Sequence, residues 1–208
     1  ARLKSSAASL APAGVAESAG CGPRWGAAQP CGMARAMHNV ALASWSDPSL
    51  PIVRCMPNTP ALVQAGAAGL FANPQVSAEQ KQLAQSILEA VGTAVWLDDE
   101  EQLHAVTAVS GSGPAYFFLA MEAMIEAGVR QGLSQTVAEQ LTLQTAFGAA
   151  SMAQHSEVGP AELRHRVSSP GGTTEQAVLT FERGGLKPLF AEAMASCARR
   201  SVELADEL

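Results

Sequence analysis

Strand-forming patterns end near Leu103, and this change of pattern constrains the fold more than any other feature of the chain. Before it, the β-branched runs PIVRC (Pro51–Cys55) and TAVWL (Thr93–Leu97) predict strands, and GAAGLFA between them could supply another. After it, long segments with apolar residues at helical spacing run over 114–129 and 134–153. We therefore predict an α/β plus all-α fold, with the α/β domain at residues 1–98 and the helical domain at residues 99–208.

Local start and stop signals place several helix ends. Ser77 followed by Gln80 has the spacing of a capping box, and Ser134 is a suitable N-cap for the helix after it. Pro114 fits the first position of a helix, where its missing N–H does no harm. We expect three glycines to end the helices that precede them: Gly92, Gly132 and Gly159.

The charge balance argues against nucleic-acid and membrane partners. The formal net charge is -6 and no basic cluster exceeds the Arg199-Arg200 pair, so phosphate backbones and anionic lipids are repelled. The most apolar long run, Ala105–Ile125, is interrupted by Ser-Gly-Ser-Gly-Pro and carries Glu122. This run does not predict a membrane span.

The cysteines predict no metal site. They form no CxxC pair and have no histidine at metal-ligand spacing, which indicates reduced thiols in a cytoplasmic protein. The four cysteines are Cys21, Cys31, Cys55 and Cys197.

Residues 14–36 show neither a two-residue nor a 3.6-residue apolar rhythm, and we expect them to be poorly ordered. Gly20-Cys21-Gly22 is a GxG by count only, because no β-branched strand precedes it and Pro23 and Trp25 follow. We therefore interpret the first domain as a partial α/β domain.

The most unusual loop is SSPGGTT, which precedes a helical segment. Thr173 followed by Gln176 fits a capping box, with Ala177, Val178 and Phe181 as the buried face of the helix. One interpretation is an ordinary capped helix after a glycine turn. The other is an anion pocket at the helix start, in which the hydroxyl of Thr174 is not needed for capping.

Other candidate motifs are weaker when taken singly. SGSGPAY (Ser110–Tyr116) permits close backbone approach before a helix, and MPNTP after the first strand is a rigid turn. His155 with Glu157 could suggest acid–base chemistry but also fits a solvated helix end. The remaining histidines are interpreted as surface residues: His38, His104 and His165.

Taken together, these stretches resemble a known family. The run PAELRHRVSSPGGTTEQAVLTFE (Pro160–Glu182) resembles the signature of pyrroline-5-carboxylate reductases along its whole length. VRCMPNTPALV with GAAGLFA, and AVSGSGPAYFF with EAGVRQGL, resemble the preceding segments of that family. The resemblance covers about Pro51 to Leu204.

The resemblance implies hydride transfer from NADPH or NADH to the C=N carbon of 1-pyrroline-5-carboxylate, giving L-proline. The implied site residues are distributed over four parts of the chain. Thr174 would orient and polarise the imine nitrogen, and Ser169, Gly172 and Thr173 would hold the substrate carboxylate. Glu157 and Glu100 would order a water near the pocket. Met56, Pro57 and Asn58 would lie near the nicotinamide end of the cofactor.

The family also implies a homodimer, which can assemble into a ring of dimers, with each pocket completed across the interface. Its first domain is a Rossmann unit with a GxGxxG/A turn that holds the pyrophosphate, and this turn is missing from the printed chain. The chain thus resembles an N-terminally truncated or altered copy of a reductase.

Two alternatives remain. The first is a catalytically silent helical dimerisation module without a cofactor site. The second, a β-hydroxyacid-type dehydrogenase, is disfavoured because those enzymes rely on a lysine in the helical domain, whereas Lys187 lies beside Pro188 after the site helix.

Overall fold

The computed structural model of the protein describes residues 50–207. The expectations for residues 14–36, and for the Gly20-Cys21-Gly22 segment within them, lie outside these residues. Within the described part, a small sheet comes first and seven α-helices follow or flank it. This order agrees with the predicted α/β plus all-α class, while the boundary between residues 98 and 99 stays a prediction.

The sheet has three strands in the order β1-β2-β3. Strand β1 (Val53–Met56) pairs antiparallel with β2 (Gly66–Ala72), and β2 pairs parallel with β3 (Gly92–Trp96). Leu70 lies opposite both Cys55 and Trp96 in the register and is only 1% exposed, so the middle strand carries the core of the sheet. Strand β1 is half-buried and has a neighbour on one side only in this sheet.

Helix α1 (Ala78–Glu89) connects β2 to β3 and confirms the predicted capping box. The Ser77 hydroxyl accepts the Gln80 N–H, and the Gln80 side chain accepts the Ser77 N–H at 2.9 Å. The helix ends before Gly92, which instead opens β3 with a φ of 155°. A Cβ at Gly92 would lie 2.0 Å from the carbonyl oxygen of Gly66, so this close strand contact requires glycine.

The helical part starts with a short helix α2 (Gln102–Val106), which continues into a π-helical turn at Thr107–Gly111. Helix α3 (Gly113–Arg130) has Pro114 in its first turn, as predicted. Four more helices follow in the described residues: α4 (Gln135–His155), α5 (Pro160–Arg166), α6 (Thr173–Arg183) and α7 (Leu186–Asp206).

Of the three remaining predicted helix boundaries, those at Ser134 and Gly132 are confirmed and the one at Gly159 is wrong. The Ser134 hydroxyl accepts the Val137 N–H at 3.3 Å and caps α4, and Gly132 follows the end of α3 with a φ of 102°. Gly159 does not end α4. That helix already ends at His155, and Gly159 is the N-cap of α5, where an extended backbone suits the residue before a helical proline.

The helices pack in pairs. Helix α3 packs against α4, and α7 packs against α2 and the π-helical turn. Buried small residues, among them Ala108, Ala138 and Ala205, allow these close approaches. No helix among residues 50–207 is long and apolar enough to cross a membrane.

Large apolar side chains nevertheless remain exposed on the helical part of the single chain. Exposure reaches 68% at Phe117, 70% at Phe147 and 60% at Leu189. Apolar surface of this extent on several helices is typical of a face that another protein covers.

Candidate functional site

The connection before α6 folds back on itself. The Gly172 N–H donates to the Ser169 carbonyl at 2.9 Å, and the Gly171 N–H donates to the Glu175 carboxylate at 2.7 Å. Gly171 has a φ of 71°, which L side chains rarely adopt. The turn therefore needs a glycine at 171, and it sets the direction in which the helix begins.

Gly172 is also required, for a steric reason. A Cβ at this position would lie 2.6 Å from Ser169 Oγ and 2.9 Å from the Ser169 carbonyl oxygen. The second of these atoms belongs to the backbone and cannot rotate away. Any other residue at 172 would therefore open the turn.

The predicted capping box of Thr173 and Gln176 is wrong. Gly172 is the N-cap of α6, and Thr173 is the first helical residue. The Gln176 N–H bonds to the Gly172 carbonyl at 3.3 Å instead of to a threonine hydroxyl. The physical reason is the tight turn at Ser169, which places an extended glycine immediately before the helix.

This correction leaves both threonines in the exposed first turn of an 11-residue helix whose N-cap has no side chain. The first N–H groups of an α-helix have no partner within the helix, and the helix dipole places partial positive charge there. The start of α6 therefore offers backbone donors and two hydroxyl groups to a small anion, which is the chemistry expected for a carboxylate site.

The predicted buried face of α6 is wrong for the single chain. Ala177 is exposed, Val178 is half-buried and Phe181 is 59% exposed, because no other element among residues 50–207 covers that side. Val178 and Phe181 instead line an open groove of about 450 Å³. The other lining residues come from α5, from the end of α6 and from the start of α7: Pro160, Ala161, Arg164, Glu182, Leu186 and Lys187.

A second group of predicted site residues lies in the turn after β1. Asn58 is buried, with 9% exposure, and its side chain makes two hydrogen bonds. Its Nδ2 donates to the Ser110 carbonyl at 3.0 Å, and its Oδ1 accepts the Ala67 N–H at 2.9 Å. The turn is thereby connected both to β2 and to the π-helical turn.

Met56 lies against the small residues of the same π-helical turn. A Cβ at Gly111 would lie 2.5 Å from Met56 Cε, so a side chain at Gly111 would displace the methionine. The structure thus brings together MPNTP and SGSGPAY, two motifs that the sequence presents about fifty residues apart. Pro57 is half-buried between Met56 and Asn58.

The two candidate carboxylates lie in different surroundings. Glu100 forms an ion pair with Arg54 of β1, and both side chains are largely shielded, with 18% and 9% exposure. Glu157 is exposed in the connection between α4 and α5. The hydrogen bonds given above join neither Glu100 nor the Met56–Asn58 turn to the start of α6, so the predicted residues form two groups within one chain.

The sequence interpretation of His104 as a surface residue is wrong. His104 is 5% exposed on α2, and its Nδ1 lies 2.9 Å from the hydroxyl of Ser201 on α7, which is 6% exposed. His104 Nε2 lies 3.8 Å from the Glu101 carboxylate. No local pattern indicates this pair, because its members are 97 residues apart in the chain.

A further polar group connects the start of α3 to the middle of α7. The Ser112 hydroxyl lies 3.2 Å from Cys197 Sγ, and the hydroxyl oxygen of Tyr116 is buried beside them. Burial of this hydroxyl, and next the neighbouring Cys197 thiol, raise the pKa of Tyr116 above its ordinary value. Cys197 is half-buried, and no cluster suited to a metal ion occurs in the described part of the chain.

Comparison with known proteins relates this geometry to a family. Residues 100–204 match the family model described as pyrroline-5-carboxylate reductase dimerisation. A pyrroline-5-carboxylate reductase of Pseudomonas aeruginosa is 58% identical over 168 residues, which cover 81% of this chain and 62% of the relative. One from Haemophilus influenzae is 46% identical over 154 residues, or 74% of this chain and 57% of the relative. The chain thus spans about three fifths of the length of the curated relatives that it matches.

Solved structures give the same result. A pyrroline-5-carboxylate reductase from Coxiella burnetii is similar with a TM-score of 0.81 and 47% identity, covering 82% of this chain and 63% of that one. A Plasmodium falciparum pyrroline carboxylate reductase, solved with NADP bound, has a TM-score of 0.76 and 30% identity, with coverage of 82% and 65%. These similarities confirm the predicted class, a partial Rossmann-like domain followed by a helical dimerisation domain.

Proposed function

The chain belongs to the pyrroline-5-carboxylate reductase family, and we propose that it takes part in the NAD(P)H-dependent reduction of 1-pyrroline-5-carboxylate to L-proline. The observation that carries the proposal is the uncapped, glycine-positioned start of α6. A substrate for such a site must present a carboxylate close to an atom that can accept a hydrogen bond. A five-membered cyclic imine with a carboxylate next to its ring nitrogen satisfies both conditions.

The substrate carboxylate binds at the first turn of α6. Gly172 lets the ligand approach the backbone, Ser169 closes the turn from the other side, and Thr173 adds a hydroxyl. Glu175 in the same turn carries a carboxylate that would repel an anion. This carboxylate instead accepts a hydrogen bond from the Gly171 N–H. Its bond to that N–H holds the turn closed.

The hydroxyl of Thr174 donates a hydrogen bond to the imine nitrogen. A threonine hydroxyl is too weak an acid to protonate an imine completely, so its role is to orient and polarise the C=N bond. When the substrate is the neutral imine, the proton comes from water; when the substrate is already protonated, its N–H donates to the Thr174 oxygen instead. Glu157, and Glu100 at the end of the sheet, are the carboxylates that order such a water.

The described residues fit the nicotinamide end of a dinucleotide. Met56, Pro57 and Asn58 form a turn that is anchored on both sides, and the missing side chain of Gly111 lets Met56 pack against the π-helical turn. When bound, the reduced nicotinamide supplies the hydride that the imine carbon accepts. The side chains of this turn would set the position of the ring, and the choice between NADPH and NADH stays open.

The two groups of site residues meet across the interface of a homodimer. Support comes from the match to a dimerisation family over residues 100–204 and from the exposed apolar residues of the helical part, such as Phe117 and Phe181. The open groove along α5 and α6 lies next to the candidate carboxylate site on α6 and would be covered by the second copy. Rings of dimers are the larger assembly that the family resemblance implies, and the absence of any CxxC pair in the sequence favours reduced thiols and a cytoplasmic setting.

The activity is tested by following oxidation of NADPH and of NADH at 340 nm, with and without 1-pyrroline-5-carboxylate. We expect oxidation only when the imine is present, and L-proline as the product. Binding of NADPH to the chain is measured separately by calorimetry. A chain that dimerises but neither binds NADPH nor oxidises it would be the silent dimerisation module instead.

The shared pocket is tested by complementation. Two impaired variants are mixed: Thr174→Val in the α6 site, which is nearly inactive, and Asn58→Ala in the turn after β1, which keeps about a tenth of the wild-type activity. If each pocket combines the turn of one chain with α6 of the other, mixed dimers regain one intact pocket, and an equimolar mixture recovers roughly a quarter of the wild-type activity. Mixtures no more active than the Asn58→Ala variant would place both groups of each pocket in one chain.

A further inference from the structure

The helical stretch from α2 to α3 contains a backbone carbonyl that cannot be paired in the usual way. In an α-helix the carbonyl of residue 110 accepts the N–H of residue 114. Residue 114 is a proline and has no N–H, and the π-helical turn precedes it, with the Ser112 N–H bonded to the Thr107 carbonyl at 2.8 Å. The Ser110 carbonyl therefore needs a donor from outside the helix.

Asn58 provides this donor. Its Nδ2 lies 3.0 Å from the Ser110 oxygen, from a position 52 residues earlier in the chain. Its Oδ1 accepts the Ala67 N–H of β2 at 2.9 Å, which fixes the orientation of the amide. With 9% exposure, the side chain is shielded from water that could replace either bond.

The same turn is also held by packing. Met56 occupies the space that a side chain at Gly111 would fill, directly before Ser112, the N-cap of α3. The register of the turn on the helical part is thus set by one hydrogen bond and one steric contact. Of these two, only the hydrogen bond depends on the missing N–H of Pro114.

We propose that Asn58 is a positioning residue that replaces the N–H missing at Pro114, and thereby fixes the turn after β1 on the start of helix α3. This inference rests on the proposed function in one respect, namely that the turn lies beside the nicotinamide. Asn58 acts on catalysis through the placement of Met56 and Pro57. The Asn58–Ser110 coupling itself is a property of the fold and can be measured without any substrate.

A double-mutant cycle tests the coupling, using Asn58→Ala, Pro114→Ala and the combination of both. Pro114→Ala restores a backbone N–H four residues after Ser110, so it should compensate in part for the lost side-chain donor. Asn73→Ala is the matched control. Asn73 also bridges two backbone groups, the Ile52 N–H and the Leu50 carbonyl, both at 3.0 Å. Both of these groups lie just before β1, and neither belongs to the turn after it.

In the reductase assay we expect Asn58→Ala to lower kcat/KM for the dinucleotide about tenfold, with KM for pyrroline-5-carboxylate within about twofold. Pro114→Ala alone should stay within about twofold of the wild type, and the double variant should recover to within about threefold. Asn73→Ala should leave both constants within about twofold, even if its urea midpoint falls.

Each result supports or overturns the inference. Strictly additive effects of Asn58→Ala and Pro114→Ala, in both kcat/KM and the urea midpoint, would overturn it. So would a loss of kcat/KM in Asn73→Ala as large as that in Asn58→Ala. If the wild-type chain oxidises no NADPH, the proposed function fails, and the non-additivity of the urea midpoints still decides whether Asn58 replaces the N–H missing at Pro114.

Discussion

His104 and Ser201, 97 residues apart in the chain, meet in the interior with Nδ1 and Oγ 2.9 Å apart. The contact joins α2, directly after the sheet, to α7, the last helix. Both residues are buried, with 5% and 6% exposure. The hydrogen bond therefore contributes to holding the end of the chain on the part that carries the sheet.

Ser201→Ala removes this bond and leaves a polar ring atom of His104 in an apolar setting. We expect the free energy of unfolding to fall by about 1–3 kcal/mol, measured by urea unfolding. Ser196→Ala on the exposed side of α7, where Ser196 only accepts from Arg199, is the control and should change the free energy by less than about 0.5 kcal/mol. Equal losses in the two variants would show that the hydrogen bond between His104 and Ser201 does not contribute to the free energy of unfolding.

The ion pair of Arg54 and Glu100 predicts a charge-dependent loss of stability. Its side chains are 9% and 18% exposed, so Glu100→Gln leaves a shielded guanidinium without its charged partner. We expect a loss of about 3 kcal/mol in the free energy of unfolding, and a smaller loss in the double variant Arg54→Met/Glu100→Leu. The control is Glu126→Gln, whose partner Arg130 is 69% exposed. A double variant less stable than Glu100→Gln would show that the pair is not coupled.

Gly172→Ala is expected to weaken ligand binding at the start of α6 with little global unfolding. The added Cβ would lie 2.9 Å from the Ser169 carbonyl and push the turn open, while the rest of α6 is free to form. Binding of L-proline, followed by calorimetry, should weaken by about tenfold or more. Gly184→Ala, after the other end of α6, meets its nearest atom at 3.3 Å and should bind L-proline as the wild type does. Unchanged binding by Gly172→Ala would remove the turn from the site.

Tyr116 predicts a pH dependence at the alkaline end. It is the single tyrosine of the chain, and burial of its hydroxyl followed by the Cys197 thiol raise its pKa above the ordinary value of 10.0. A raised pKa in the folded state favours the neutral form, so this contribution to stability is complete below pH 10 and is lost as the pH rises through the folded value. Absorbance at 295 nm should therefore titrate at higher pH in the folded chain than in urea.

The control for this titration is Tyr116→Phe, which should abolish the change in absorbance. If the folded and the urea-unfolded chain titrate at the same pH, the hydroxyl is not shielded as described.

The features that the sequence predicted well are local. The capping box of Ser77 and Gln80 and the cap at Ser134 depend on residues within one turn of each other, so their spacing is sufficient to predict them. The predicted cap at Thr173 failed because the tight turn at Ser169 moves the cap to Gly172. Local spacing cannot reveal this shift, since it depends on how the preceding backbone folds back.

The features that the sequence could not predict depend on distant residues. The hydrogen-bond partner of His104 on α7, Ser201, is 97 residues away in the chain, and the burial of His104 follows from the packing of α7 on α2. The role of Asn58 depends on a carbonyl 52 residues away, although Pro114 and its missing N–H are visible in the sequence. The exposed face of α6 with Phe181 is the opposite case, since its apolar pattern predicts burial that the single chain does not provide.

The measurement that tests the central claim most directly is the kcat of Thr174→Val with 1-pyrroline-5-carboxylate, compared with Thr180→Val. Both changes replace a threonine hydroxyl of α6 by a methyl group, but Thr180 donates to the Gln176 carbonyl two turns further along the helix. We predict that kcat falls about a hundredfold in Thr174→Val and less than about twofold in Thr180→Val. A Thr174→Val chain that turns over as fast as the wild type would contradict the assignment of the α6 start as the reductase site.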